Sequence, residues 1–191
     1  AFRLLWSLKQ RIDHSFMADF RQQTPMGAAE PMACRGCAAK LPARPLNAAL
    51  TQAGLKTQAE DAANLGGTPA LLQSVDGFPA LVSDPWLNGR LTTLHACSDL
   101  WACGATVTSA MAVVTLPSID PIEQQELLHQ TLAGVQSVLT GQGASLIGGH
   151  TLESRSPTPS PTTLGLQVAL SVNGQSSAPW FKGGIQPGDA L

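Results

Sequence analysis

Between Asp99 and Asp120 the chain carries no charged residue. A run of that length can cross a bilayer if it is apolar throughout. Here Gly104, Thr106, Thr108, Ser109, Thr115 and Pro117 interrupt it, and the β-branched Val113-Val114-Thr115 suits a buried strand. No membrane-spanning segment is expected. The low charge extends to the whole chain, which is 43% hydrophobic and 13% charged, about half the charged share of an ordinary soluble domain. Such a chain is expected to cover part of its surface, in an oligomer or against further sequence. A formal charge of −2 supplies no basic field for a phosphate backbone, so no nucleic-acid partner is expected. Arg3, Lys9, Arg11 and Asp13 break up the early apolar residues. The start is therefore not laid out as a signal peptide, and a reducing, cytoplasmic compartment follows.

Leu4, Leu8, Ile12, Phe16 and Phe20 recur every four residues, which predicts one amphipathic helix over 2–22. It stops before Thr24-Pro25, and the small, proline-bearing residues 25–33 read as a linker. The helix has no partner segment on its N-terminal side, so residues 1–24 are expected to end an upstream domain. Further on the pattern predicts a short helix after Pro45, strands at 70–75 and 80–83, a helix over 89–103 and a strand over 107–116. A long helix over 121–140 opens at Asp120-Pro121 and stops at Gly141. Next come a short strand at 144–147, a Gly148-Gly149-His150 turn, a Ser/Pro/Thr loop and a strand over 164–172. The fold class is α/β (α+β). Residues 186–191 read as a turn entering another strand, so the domain is expected to be incomplete at its C-terminal end.

Three groups of residues can carry chemistry. Cys34-Arg35-Gly36-Cys37 is followed by Lys40. An ammonium nearby favours the thiolate, so Cys37 reads as a nucleophile or chalcogen carrier and Lys40 as a point charge for phosphate. Half of a zinc site and a pair of unreactive thiols are the competing readings. For zinc, the other two thiols, Cys97 and Cys103, lie six apart in an expected helix, off the knuckle spacing. Both are expected to be core thiols.

The second group is acidic: Glu60-Asp61, Asp76, Asp84 and Asp99, each set among small or apolar residues. Acids in such settings are costly unless capped or matched by a cation, which magnesium with nucleotide phosphates would supply. Each alone is equally an N-cap or turn former, Asp84 before Pro85 above all. The third group is Gly148-Gly149-His150-Thr151, where backbone amides can approach phosphate closely. It lacks the Gly-Lys-Ser/Thr ending of a Walker loop and the dinucleotide spacing, so a plain turn stands beside that reading. His95, on the same helix as Cys97, reads as a structural hydrogen-bonder.

Taken in order, Cys37 to Lys40, Glu60 to Ala63, Val75 to Arg90, His95 to Ala105, Gly143 to Thr151 and Gln186 to Leu191 resemble selenophosphate synthetase (selenide, water dikinase). That family belongs to the superfamily of aminoimidazole ribonucleotide synthetase. The resemblance covers about residues 34–191 and is collinear throughout. It implies the N-terminal ATP-binding domain of that superfamily, with a mixed sheet, helices on one side and a homodimer formed through the sheet. It implies ATP, selenide and water as substrates, selenophosphate, AMP and phosphate as products, and Mg2+ as cofactor. By position, Cys37 and Lys40 match the catalytic pair, and Asp61, Asp76 and Asp99 the magnesium and ATP acids. Gln58, Ala59 and Glu60 match the first nucleotide-contact segment, and Gly149, His150 and Thr151 a later one.

The chain departs from the family where many members carry a second Cys at Ala39, an Asp at Glu60 and an Asn at His95. A further magnesium-binding Asp of the family lies beyond Leu191. Trp6 to Phe20 is similar to the end of an FAD-dependent pyridine-nucleotide oxidoreductase, which implies a fusion whose FAD domain lies upstream of this chain. Other members of the superfamily, thiamine-monophosphate kinase and a hydrogenase-maturation protein, are the alternatives among enzymes. A noncatalytic nucleotide-binding or dimerisation module is the alternative outside them.

Overall fold

The computed structural model describes residues 41–55, 60–154, 165–183 and 186–188. All of them belong to the second of two units into which the chain divides, residues 33–191. The expected helix over 2–22 and the linker at 25–33 lie outside the described residues, as do Cys34, Cys37, Lys40, Gln58 and Ala59.

The elements in chain order are α1 (Ala43–Gln52), β1 (Ala63–Gly66), β2 (Ala70–Pro79), α2 (Pro85–Ala102), β3 (Thr106–Pro117), α3 (Pro121–Gly141), β4 (Ser145–Ser154) and β5 (Gln167–Ser176). The strands form one mixed sheet in the order β1-β2-β5-β3-β4. Every pairing is antiparallel except β3 with β4, which are parallel and joined through α3.

Alternation decides which face is covered. On β3, Ala110, Ala112, Val114 and Leu116 are buried, joined by Val107 across a register shift between Val107 and Ser109, as are Val168, Leu170 and Val172 on β5, and α2 and α3 lie over this side of the sheet. The other face carries Val75, Met111 and Val113, exposed at 69%, 48% and 42%. Apolar side chains at that exposure form an uncovered sheet face. The two helices meet backbone to backbone because glycines stand at their crossing. A Cβ on Gly89 would lie 2.2 Å from the Thr131 carbonyl oxygen, and one on Gly134 2.1 Å from that of Trp86. Asp84 caps α2, its Oδ1 accepting from Leu87 N at 2.9 Å with Pro85 in the first turn, and Asp120 caps α3 in the same manner. Asp84 is thus the helix cap its sequence context suggests.

Two expectations are corrected, and one strand that the sequence did not announce is added. Residues 80–83 are not a strand. Their backbone is held by the buried side chain of Asn88, which accepts from Leu81 N and Val82 N and donates to the Val82 and Asp84 carbonyls. Gly148-Gly149-His150 is not a turn but the middle of β4, paired with Met111 to Val113. Glycine is needed there for close approach, since a Cβ on Gly149 would lie 2.1 Å from the Ala112 carbonyl oxygen. β1, too polar and short to stand out from its sequence, exists through its pairing with β2. Cys97 and Cys103 are buried and free, as expected of core thiols.

Candidate active site

The acids are gathered by matched periodicities. On β2, Leu72, Ser74, Asp76 and Phe78 share the helix-facing side, two residues apart. On α2, His95 and Asp99 lie one turn apart on one face. A rise of about 6 Å per four helical residues nearly equals that of about 6.8 Å per two strand residues, so the two pairs meet rung by rung. His95 Nδ1 stands 3.0 Å from Asp76 Oδ2, and Ser74 Oγ donates to Asp99 Oδ2 at 2.6 Å. The Phe78 ring meets the imidazole edge-on, with centroids 4.7 Å apart. His95 is therefore a structural hydrogen-bonder, and its partner is one of the candidate acids.

Asp99 occupies the last turn of α2, which contains no basic residue. A carboxylate there opposes the helix dipole, an arrangement a purely structural residue would not favour. Asp61 lies just before β1, and a segment following β5 reaches across to it. Lys182 Nζ contacts Asp61 Oδ1 at 2.7 Å, and the Lys182 amide donates to Glu60 Oε2 at 2.8 Å. The hydrogen bond to Asp61 pushes Lys182 up from its ordinary value, partial burial opposes the shift, and the charges of Asp61, Glu60 and Asp99 add to it.

Asp61, Ser74, Asp76 and Asp99 line one open cleft of about 610 Å³. Among the described residues no three His, Cys, Asp or Glu side chains stand close enough to hold a metal ion unaided. Magnesium is commonly bound by one or two carboxylates, waters and substrate phosphates rather than by an all-protein cage. The oxygen-only donor set of Asp61, Asp76 and Asp99 fits such an ion.

Gly149, His150 and Thr151 are not brought to this cleft. Asp76 pairs with Leu170, Leu170 with Ala112, and Ala112 with Gly149. The two groups thus lie three strand spacings apart, about 14 Å. Leu170 and Ala112, both buried beneath the helices, fill the line between them. A separate hollow of about 290 Å³ beside Leu132 and Leu146 contains the β4 residues.

Sequence reasoning singled out neither Ser74 nor Lys182. Ser74 carries a usable signal, two residues before Asp76 on the same strand face. Lys182 carries none, because it arrives from a distant segment.

Residues 59–167 match the family AIR synthase related protein, N-terminal domain. The chain belongs to that family. Within the AIR synthase related family, the chain is similar to the selenide, water dikinase of Myxococcus xanthus (34% identical over 171 residues, 83% of this chain and 45% of that protein). It is also similar to that of Pelobacter propionicus (31% over 169 residues, 82% and 45%). The chain therefore spans less than half the length of these relatives. Among solved structures, the fold is shared with AaThiL complexed with AMPPCP and TMP (TM-score 0.62, 16% identity, 74% of this chain and 44% of that one). It is also shared with tt0281 from Thermus thermophilus (0.57, 22%, 73% and 46%). The fold is the mixed sheet with helices on one side that the AIR synthase related resemblance implies.

Proposed function

We propose that this chain is the ATP-binding half of a selenide, water dikinase, which converts ATP, selenide and water into selenophosphate, AMP and phosphate. The reading rests on the convergence of Asp61, Asp76 and Asp99 on one cleft, in a chain 31–34% identical to relatives of that name over 82–83% of its length. Mg2+ bound by these acids would screen the polyphosphate charge and tie it to the protein. The chain's own residues set the stage for it. His95 holds Asp76 in one orientation and Ser74 does the same for Asp99, so both carboxylates present their remaining oxygens to the cleft without reorganisation. Cys37 is assigned the selenium-carrying thiolate and Lys40 a phosphate contact, with Gln58, Ala59 and Glu60 flanking the nucleotide.

Leu170 and Ala112, buried under the helices, stand between the acid cleft and Gly149–Thr151, which supports a nucleotide that takes the two groups from different copies. The uncovered apolar face around Val75, Met111 and Val113 supports a homodimer formed through the sheet, in which the second copy supplies the missing segment. Selenide-dependent AMP formation by the full-length protein, followed by phosphorus NMR, tests the function. Cys37→Ser is expected to abolish selenophosphate while nucleotide binding persists. ADP as the final nucleotide product, or turnover indifferent to selenide, would refute the reading.

A further inference from the structure

Lys182 sits where the acid cleft would receive its cation. Its segment is anchored independently of its charge. Trp180 N donates to the Cys103 carbonyl at 3.0 Å, and the indole lies on Gly104, where a Cβ would stand 3.1 Å from the ring. The Lys182 amide is held by Glu60. Cys103 and Gly104 directly follow α2, the helix that carries Asp99, so the backbone of 180–182 is positioned by the same element as the site. Only the side chain, a point charge on a flexible four-carbon stem, depends on Asp61, and it remains 56% exposed.

We propose that Lys182 is a tethered counter-cation of the divalent-ion site: with no ion bound its ammonium occupies an oxygen of Asp61, and a divalent cation binding there must displace it. The inference rests on the reading of Asp61 as a cation ligand. Glu60, Asp61 and Asp99 otherwise set like charges near one another, and the Lys182 ammonium offsets them. Both cations seek the same oxygen and repel each other, so they compete for it. The ammonium can swing out without moving the segment, because Trp180 and the Glu60 contact keep the backbone in place. Lys182 is thus a positioning residue that raises the cation concentration at which the site fills and leaves Asp61 neutralised below it.

The test is Mn2+ binding to the full-length protein without nucleotide, read from the electron paramagnetic resonance of the free ion. Lys182→Gln is expected to bind Mn2+ about two- to fivefold more tightly than the natural protein, the range that an exposed ion pair supports. Lys182→Arg should match the natural protein, and in an Asp61→Asn background Lys182→Gln should change nothing. Equal or weaker binding by Lys182→Gln overturns the inference and leaves the cation site standing. Failure of every variant and of the natural protein to bind Mn2+ at millimolar concentration without nucleotide overturns this inference, and repeating the titration with a non-hydrolysable ATP analogue present decides separately whether the cation site stands.

Discussion

Gly134 and Gly141 lie seven residues apart on α3, yet alanine at the two positions is expected to act with opposite sign. In an isolated helix the change is worth about 1 kcal/mol in favour of alanine. At Gly141 the new Cβ meets nothing within 4 Å, so only propensity acts, reduced by the position at the helix end. At Gly134 the Cβ would stand 2.1 Å from the Trp86 carbonyl oxygen, where ordinary contact begins at 3.4 Å. The helices must part by more than 1 Å. The obstacle is backbone, which cannot rotate aside, so the upper end of the overpacking range applies, about 3 kcal/mol. Net of propensity, Gly134→Ala should destabilise by about 2 kcal/mol and lower the urea midpoint by about 1 M for a slope of about 2 kcal/mol/M. Asp99 lies thirteen residues along α2 from Trp86, about 20 Å, so Mg2+-dependent nucleotide binding should change less than stability does. Urea denaturation of both variants and calorimetric titration with a non-hydrolysable ATP analogue measure the two effects. A Gly134→Ala protein as stable as the natural one, or stabilised like Gly141→Ala, would show that the helix crossing does not depend on backbone contact.

Three further outcomes are expected. Asp99→Asn should weaken Mg2+-dependent binding of the ATP analogue more than tenfold, about 1.4 kcal/mol, whereas Asp84→Asn, which retains a good N-cap, should leave both affinity and melting temperature nearly unchanged. Gly149→Ala should break the pairing of β4 with β3, seen as loss of amide-exchange protection in β4 with α2 protection retained. Burial pushes the Cys97 thiol up from 9.0, against a smaller opposing effect of Gln142. The unfolded chain therefore releases this proton first as pH rises, and the stability tied to it is present below pH 9 and lost above it. Cys97→Ala should remove that part of the alkaline slope in denaturation measured from pH 8 to 10.5.

The start of α3 and the existence of β3 were legible in the sequence because the signals are local. Asp120-Pro121 announces α3 through a cap that acts within one turn, and the β-branched Val113-Val114-Thr115 marks β3 as strand, whereas α2 begins at Pro85, four residues before the start its pattern predicts. The acids were legible as types, since Asp76 and Asp99 stand among residues that offer a carboxylate little local support. Tertiary structure decided what depends on distant partners. Gly148-Gly149-His150 has turn composition, but its pairing with β3 makes it strand, and Ala80–Ser83 has strand composition, but the Asn88 side chain takes up the hydrogen bonds of Leu81 and Val82. The neighbours of the acids were likewise settled by assembly. Ser74 meets Asp99 and His95 meets Asp76 because a helix turn and two strand residues rise by nearly the same distance. Lys182 reaches Asp61 from 121 residues away in the chain because the segment after β5 is pinned at Trp180 to the end of α2. Periodicity and capping act over a few residues and can be read in order. Strand pairing and charge neutralisation act between segments, and only the packed sheet brings those together.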